Sequence, residues 1–148
     1  MAYASGMHDA ITRSTFAYAT FLFVVLFAPQ VGFEHHHGPG GNLISTFPDV
    51  LTLVLTCVVL WLAVRHATLG HTDALFARGF ARGAAVSAIG GVLYAIGLAF
   101  VAPAVYSSQT FAWMVVLLSV VEVAAIGSGL SAIFAYFRAR GASAAKPA

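Results

Sequence analysis

Four long apolar segments dominate this sequence and constrain its fold more than any other feature. A helix needs about 20 apolar residues to cross the hydrocarbon core of a bilayer. Because lipid offers no partner to backbone N–H and C=O groups, only helices and closed barrels can span it. The pattern predicts an all-α polytopic membrane protein with four transmembrane helices in an up-down-up-down bundle, with spans near residues 14–33, 47–64, 84–105 and 111–137.

The composition supports lipid as the solvent for most of the chain. Hydrophobic residues make up 60% of it and charged residues 8%, and its mean hydropathy is +0.90. A soluble domain carries about 25% charged residues. The first segment continues past Pro29 to Phe33 without an Ala-x-Ala cleavage pattern, so we expect a retained helix rather than a signal peptide. We predict one transmembrane domain over residues 1–140 and a disordered cytoplasmic tail over 141–148.

The basic residues indicate how the spans are oriented. In a four-span arrangement all seven lie on one side, and none falls in the other two loops. Cytoplasmic loops carry the excess of Lys and Arg, so we predict that both termini and the middle loop are cytoplasmic. Abundant Ala and Gly, with Arg in place of Lys, indicate a GC-rich coding bias, and we predict a bacterial inner membrane. The seven residues are Arg13, Arg65, Arg78, Arg82, Arg138, Arg140 and Lys146.

Glu122 is the one ionisable residue deep within a predicted span. A charge at the bilayer centre costs about 2.5–3.5 kcal/mol even on lenient scales, so such residues face a bundle interior. Ser119 and Gly129, at helical spacing from it, favour a closely packed face. Two interpretations stay open: a protonated carboxylic acid that joins helices, or a proton or cation site. Because no predicted span holds Lys, Arg or His, the candidate partners are Ser and Thr hydroxyls, Tyr94, water or another chain.

Small residues follow one face of the third span. Gly83, Ser87 and Gly91 recur at every fourth position, and Gly97 lies on the adjacent stripe. Small residues at this spacing let two helix backbones approach closely. The stripe predicts helix packing within the chain, with self-association through the same face as the alternative.

The external loop after the first span holds a histidine cluster. Imidazoles together with a carboxylate suit Zn, Cu or Ni. The cluster lacks the His-x-x-x-His spacing that directs two ligands at one ion, and a Gly/Pro-rich stretch follows it. Any metal binding would therefore be weak or shared with other chains. The members of the cluster are Glu34, His35, His36 and His37.

Catalytic signatures are absent from the sequence. It contains no Gly-x-Ser-x-Gly or His-Glu-x-x-His motif and no phosphate-binding Gly-rich loop. No two intramembrane histidines offer axial ligands to haem, and the single cysteine, Cys57, excludes an internal disulfide. We therefore predict a non-enzymatic protein without a cofactor. The basic side is explained by topology, so we expect no nucleic-acid partner.

Two segments carry a recognisable progression of residue types. Their residues are the tandem Phe-Ala-Arg-Gly repeat 76–83, Ser87, Tyr94, Glu122, Gly127 and Arg138. The progression resembles an uncharacterised family of small four-helix bacterial membrane proteins, a domain of unknown function. The resemblance implies the four-helix fold and an intramembrane Glu in the last helix, and it brings no known activity. The chain departs from the family in the short segment 107–110 between its last two spans and in the lack of a Pro between Glu122 and Gly127.

These features favour an assembly or accessory subunit that packs as a homo-oligomer or within a larger membrane complex. The contacts would be Glu122 and the small residues of the third span. One alternative is a small transporter or channel-like component in which Glu122 binds a proton or cation. Another is an accessory protein that delivers metal through the external histidine cluster. In each case the partners are the lipid bilayer and other membrane chains.

Overall fold

The computed structural model describes residues 2–33, 46–105 and 109–144, with side chains over 12–29, 50–100 and 113–143. The described residues contain no strand and form four α-helices: α1 (Ala2–Phe33), α2 (Thr46–Thr68), α3 (Leu75–Val105) and α4 (Gln109–Ala144). Each helix contains an apolar window long enough to cross a membrane, at Thr12–Pro29, Val50–Thr68, Leu75–Phe100 and Trp113–Ser143. The prediction of an all-α chain with four apolar helices of membrane-spanning length is confirmed.

A short turn over residues 69–74 joins α2 to α3. Gly70 has a positive φ of 72°, the left-handed conformation in which many helices end. His71 N donates to Thr68 O at 3.3 Å, which satisfies one of the last carbonyl groups of α2. The turn holds the end of α2 close to the beginning of α3.

All four helices extend beyond the predicted spans, and α1 begins at Ala2 rather than near residue 14. α3 begins at Leu75 rather than near residue 84, because the tandem repeat is itself helical. Within that extension Phe76 stacks on Phe80, with ring centroids 6.0 Å apart. α4 continues to Ala144, into the segment for which the sequence predicts disorder. Aromatic and arginine side chains together suit helix ends that lie at a membrane surface.

α3 lies at the centre of the helix packing. Among the described residues its backbone closely approaches α1, α2 and α4, whereas the backbones of α1 and α4 stay more than 8 Å apart. A Cβ at Gly83 would collide with Ser131 of α4. A Cβ at Gly127 of α4 would likewise collide with Ser87. Both serine hydroxyls are buried and donate to carbonyl groups of their own helices, at 2.9 and 2.6 Å, so the backbones approach without leaving a hydroxyl unpaired.

The interior is small and includes buried hydroxyl groups beside apolar side chains, and most of the apolar surface faces outward. Between 17% and 33% of each apolar window is buried inside the chain. Large side chains such as Phe100 and Leu117 are 82% and 67% exposed. An outer surface of this kind fits hydrocarbon rather than water. The main buried cluster, which we call the core plug, consists of Leu22, Val59, Leu60, Ala63 and Val86.

Candidate functional site

Glu122 lies on α4 and lines an open cavity with a volume of about 370 Å³. All four helices contribute to the walls of this cavity, which we call the Glu122 cavity. Its lining is largely apolar, but α2 contributes two hydroxyl groups and α3 contributes a phenol. The polar side chains in the lining are Thr52, Thr56, Tyr94 and Glu122.

The Glu122 cavity separates α2 from α4. Nearer the α2–α3 turn these two helices touch, and Trp61 packs edge-on against Phe134 with ring centroids 5.8 Å apart. At the level of Thr56 and Glu122 the helices instead face each other across the cavity. For this reason the Glu122 side chain is exposed in the isolated chain.

The Glu122 cavity offers a carboxyl group and hydroxyls but no cationic side chain. No Lys, Arg or His occurs among the described residues that line it. Thr56 Oγ1 is buried and has no hydrogen-bond partner within the part of the chain that the structure describes. Buried polar atoms ordinarily pair with protein or with ordered water. A carboxyl group in this setting can hold a proton, a hydrated cation or a hydrogen-bond donor from another chain.

The small residues predicted as a packing stripe on α3 all lie against neighbouring helices of the same chain. The two at positions 83 and 87 take part in the α3–α4 contact described above. A Cβ at Gly91 would lie 3.3 Å from the backbone oxygen of Val120 on α4. A Cβ at Gly97 would lie 2.8 Å from the Phe27 ring on α1. The alternative of self-association through this stripe would require these intrachain contacts to open.

The small residues near Glu122 on α4 divide between two environments. Ser119 is buried, and its hydroxyl donates to a carbonyl of its own helix at 2.8 Å. Gly129 lies on the outer side of α4, where a Cβ would meet nothing within 4 Å. Leu118 and Ile126 beside it are 58% and 53% exposed. We call this surface the open face of α4 and define it as Leu118, Glu122, Ile126 and Gly129. No described residue of this chain covers it.

The predicted histidine cluster lies outside the described residues. The part of the chain that the structure describes contains no group of three or more His, Cys, Asp or Glu side chains that could hold a metal ion. Metal delivery therefore stays a prediction from the sequence. The residues concerned are Glu34, His35, His36 and His37.

A second cavity, which the sequence analysis missed, lies beside the α2–α3 turn. It has a volume of about 570 Å³, and we call it the basic cavity. Its deepest arginine, Arg82, is 9% exposed and donates through Nη1 to the Thr15 hydroxyl. The available signal is a pair of arginines four positions apart, preceded by His66 in the last turn of α2 and His71 in the connecting turn, and alone it indicates only orientation. The polar lining is Ser14, Thr15, His66, His71, Arg78 and Arg82.

No family model, no curated protein and no solved structure matches this chain. The resemblance to a four-helix family of unknown function therefore stays a prediction. The four apolar helices indicate a multi-pass membrane protein.

Proposed function

We propose that the chain is a bacterial inner-membrane protein whose helices run up-down-up-down, with both termini cytoplasmic. Helix contacts support the directions: Gly83 of α3 approaches Ser131 of α4. Further along α3, Gly91 approaches Val123, so residue numbers rise in opposite directions in these two helices. The location of all seven basic residues on one side of such a bundle supports the orientation.

Within that membrane, we propose that the protein is an assembly subunit whose open face of α4 binds another membrane-embedded chain, either a second copy or a member of a larger complex. The exposure of Glu122 carries this proposal. Its side chain is exposed within the apolar window Trp113–Ser143, between large apolar side chains that suit lipid. A carboxyl group facing hydrocarbon costs about 2.5–3.5 kcal/mol on insertion scales, and a covering helix removes that cost.

The shape of the open face suits a helix as the covering element. Gly129 lies two turns from Glu122 and leaves open space where a side chain would stand. Small residues at such positions let a second helix backbone approach closely. A hydrogen bond from a partner to the Glu122 carboxyl group would contribute about 1–2 kcal/mol in a membrane.

Native mass spectrometry of protein extracted gently from its own membrane tests the assembly proposal. We expect the wild type to retain a second copy or a stoichiometric partner. Gly129→Leu places a bulky side chain on the open face and should remove that partner. Gly141→Leu is the matched control, because it lies on the same helix and its Cβ also meets nothing within 4 Å. A monomeric wild type, or equal loss of the partner in both variants, would contradict the proposal.

A second candidate function is a transporter or channel-like component that binds a proton or cation in the Glu122 cavity. The unpartnered Thr56 Oγ1 favours it, because a buried hydroxyl in a roomy polar cavity is a ready partner for water. Together with the Glu122 carboxyl group and the Tyr94 phenol, this hydroxyl would solvate an ion that has left bulk water.

Glu122→Gln separates the two functions, because an amide keeps hydrogen-bonding capacity but cannot release a proton or carry charge. Under the assembly proposal the variant retains its partner, and neither it nor the wild type moves protons in sealed vesicles beyond empty controls. Under the transport candidate the wild type dissipates an imposed pH gradient, and Glu122→Gln does not. Circular dichroism of both proteins checks that the helices are intact.

A further inference from the structure

Four side chains that carry or can acquire positive charge line the basic cavity. Arg78 and Arg82 lie one turn apart on α3, His66 lies in the last turn of α2, and His71 lies in the connecting turn. The described lining contains no Asp or Glu. Like charges gathered in a concave site raise the local concentration of anions. The basic cavity is therefore suited to an anionic ligand.

The donors in the basic cavity suit phosphate in particular. A guanidinium group presents N–H donors in a planar fork that matches two phosphate oxygens, and two such groups lie in the lining. Ser14 and Thr15 add hydroxyl groups from α1. Because Arg82 is only 9% exposed, its charge acts in a medium that is less polar than bulk water. Its attraction to an anion is stronger in such a medium than in water. The volume of 570 Å³ lies within the range of about 300–1,000 Å³ seen for small-ligand sites.

The nearby carboxylate of Asp73 leaves the cavity available to such a ligand. Asp73 pairs with Arg78 at 3.4 Å, and the two side chains are 74% and 44% exposed. Exposed ion pairs contribute little to stability, because water competes for both partners. A phosphate that engages several donors at once can displace this pair.

The position of the basic cavity relates it to phospholipid headgroups. The apolar windows Thr12–Pro29 and Leu75–Phe100 begin beside it, and Val50–Thr68 ends beside it. The cavity thus lies where hydrocarbon gives way to headgroups. Leu69 of the α2–α3 turn lines the cavity and is 52% exposed. It provides an apolar surface for an acyl chain.

We propose that the basic cavity binds the phosphate of an anionic phospholipid. The phosphate oxygens accept hydrogen bonds from Arg78, Arg82 and the hydroxyl of Ser14, while an acyl chain lies along the exposed Leu69. Basic pockets between transmembrane helices bind anionic headgroups in this way. A free phosphate ion shares the headgroup chemistry, but it makes no use of the apolar surface beside the cavity. The site is separate from Glu122 and does not depend on the assembly proposal.

Lipid retention by the full-length protein tests this site. The protein is delipidated in detergent, supplied with phosphatidylglycerol or phosphatidylcholine, and the bound lipid is counted by native mass spectrometry. We expect phosphatidylglycerol to be retained in preference. Arg78→Gln should weaken its binding about tenfold, the effect of one lost charge-assisted hydrogen bond. Arg140→Gln is the matched control, because it removes the same charge from an exposed site on α4 and should leave binding unchanged.

A second variant and a competitor complete the test. Arg82→Lys keeps the charge but loses the planar fork, so it should weaken phosphatidylglycerol binding several-fold while circular dichroism remains that of the wild type. Inorganic phosphate in molar excess should displace little lipid. Equal retention of the two lipids, or equal losses in Arg78→Gln and Arg140→Gln, overturns the proposal. Complete displacement by inorganic phosphate would reassign the cavity to the free ion and overturn the lipid assignment.

Discussion

The contact of Gly83 with α4 is sensitive to a single methyl group. A Cβ at this position would collide with both the Cβ and the Oγ of Ser131, and it would lie 3.3 Å from Cγ2 of Val64. The Ser131 Cβ moves only with its own backbone, so α3 and α4 would have to shift apart. We therefore expect Gly83→Ala to lower the free energy of unfolding, although alanine is the better helix former.

The size of the effect follows from two opposing contributions. Inserting a methyl group into a well-packed contact destabilises by about 1–3 kcal/mol, and the upper part of that range applies where backbone has to move. Alanine in place of a helical glycine offsets about 1 kcal/mol of this. The expected net loss is about 2 kcal/mol. In Gly141→Ala the first contribution is absent, since its Cβ meets nothing within 4 Å, so stability should hold or rise.

Unfolding in mixed micelles with an increasing fraction of dodecyl sulfate measures this difference. Trp61 serves as the probe in a Trp113→Phe background, because it packs against Phe134 at a centroid distance of 5.8 Å. The double variant Gly83→Ala, Ser131→Gly removes the side chain that the new methyl group would meet and should recover most of the loss. If Gly83→Ala unfolds at the same dodecyl sulfate fraction as the wild type, or if the double variant recovers none of the lost stability, the reasoning about this contact is refuted.

Three further predictions use the same unfolding assay. Thr15→Val removes the hydroxyl that accepts from the buried arginine and should cost about 1.5–3 kcal/mol. The exposed hydroxyl of Thr20 donates only to its own helix, so Thr20→Val should change stability by less than about 0.5 kcal/mol. Equal losses in Thr15→Val and Thr20→Val would contradict the role of the Thr15 hydroxyl. Leu22→Ala empties a position that is 1% exposed and should cost about 2–5 kcal/mol, whereas Leu117→Ala, at 67% exposure, should cost far less. Glu122→Leu should leave the isolated chain as stable as the wild type but abolish its partner in native mass spectrometry, and a retained partner would exclude Glu122 from the contact.

Hydropathy was sufficient to predict the number and type of the helices. In lipid every backbone group has to be satisfied within the segment, so a long apolar run admits few alternatives to a helix. The ends of the helices were harder to place. Arg78 and Arg82 lower the hydropathy of residues 75–83, yet these residues are helical and continue into the span. Charge marks where a span leaves hydrocarbon rather than where a helix ends.

The cavities could be predicted only in part, because they depend on which helix faces bring distant residues together. Glu122 stands out in the sequence alone, and Tyr94 was among its candidate neighbours. The place of Thr56 in the same cavity depends on the angle between α2 and α4, which no local pattern specifies. The bond between Arg82 and Thr15 joins residues 67 positions apart. Such pairings arise from close packing of the whole chain, in which small residues set how near two helices can come.

Along α2 and α3 the core plug lies between the residues of the Glu122 cavity and those of the basic cavity, and this arrangement bears on the choice between the two functions. On α2, Leu60 of the plug lies between Thr56, which lines one cavity, and His66, which lines the other. On α3, Val86 of the plug lies between Arg82, which lines the basic cavity, and Tyr94, which lines the Glu122 cavity. The plug contains only apolar side chains, and an apolar interior of this kind stays dry. A proton or cation could therefore pass between the cavities only if the plug opened. A partner on the open face of α4 requires no such opening, because Glu122 is already exposed there, and for that reason assembly is the stronger proposal.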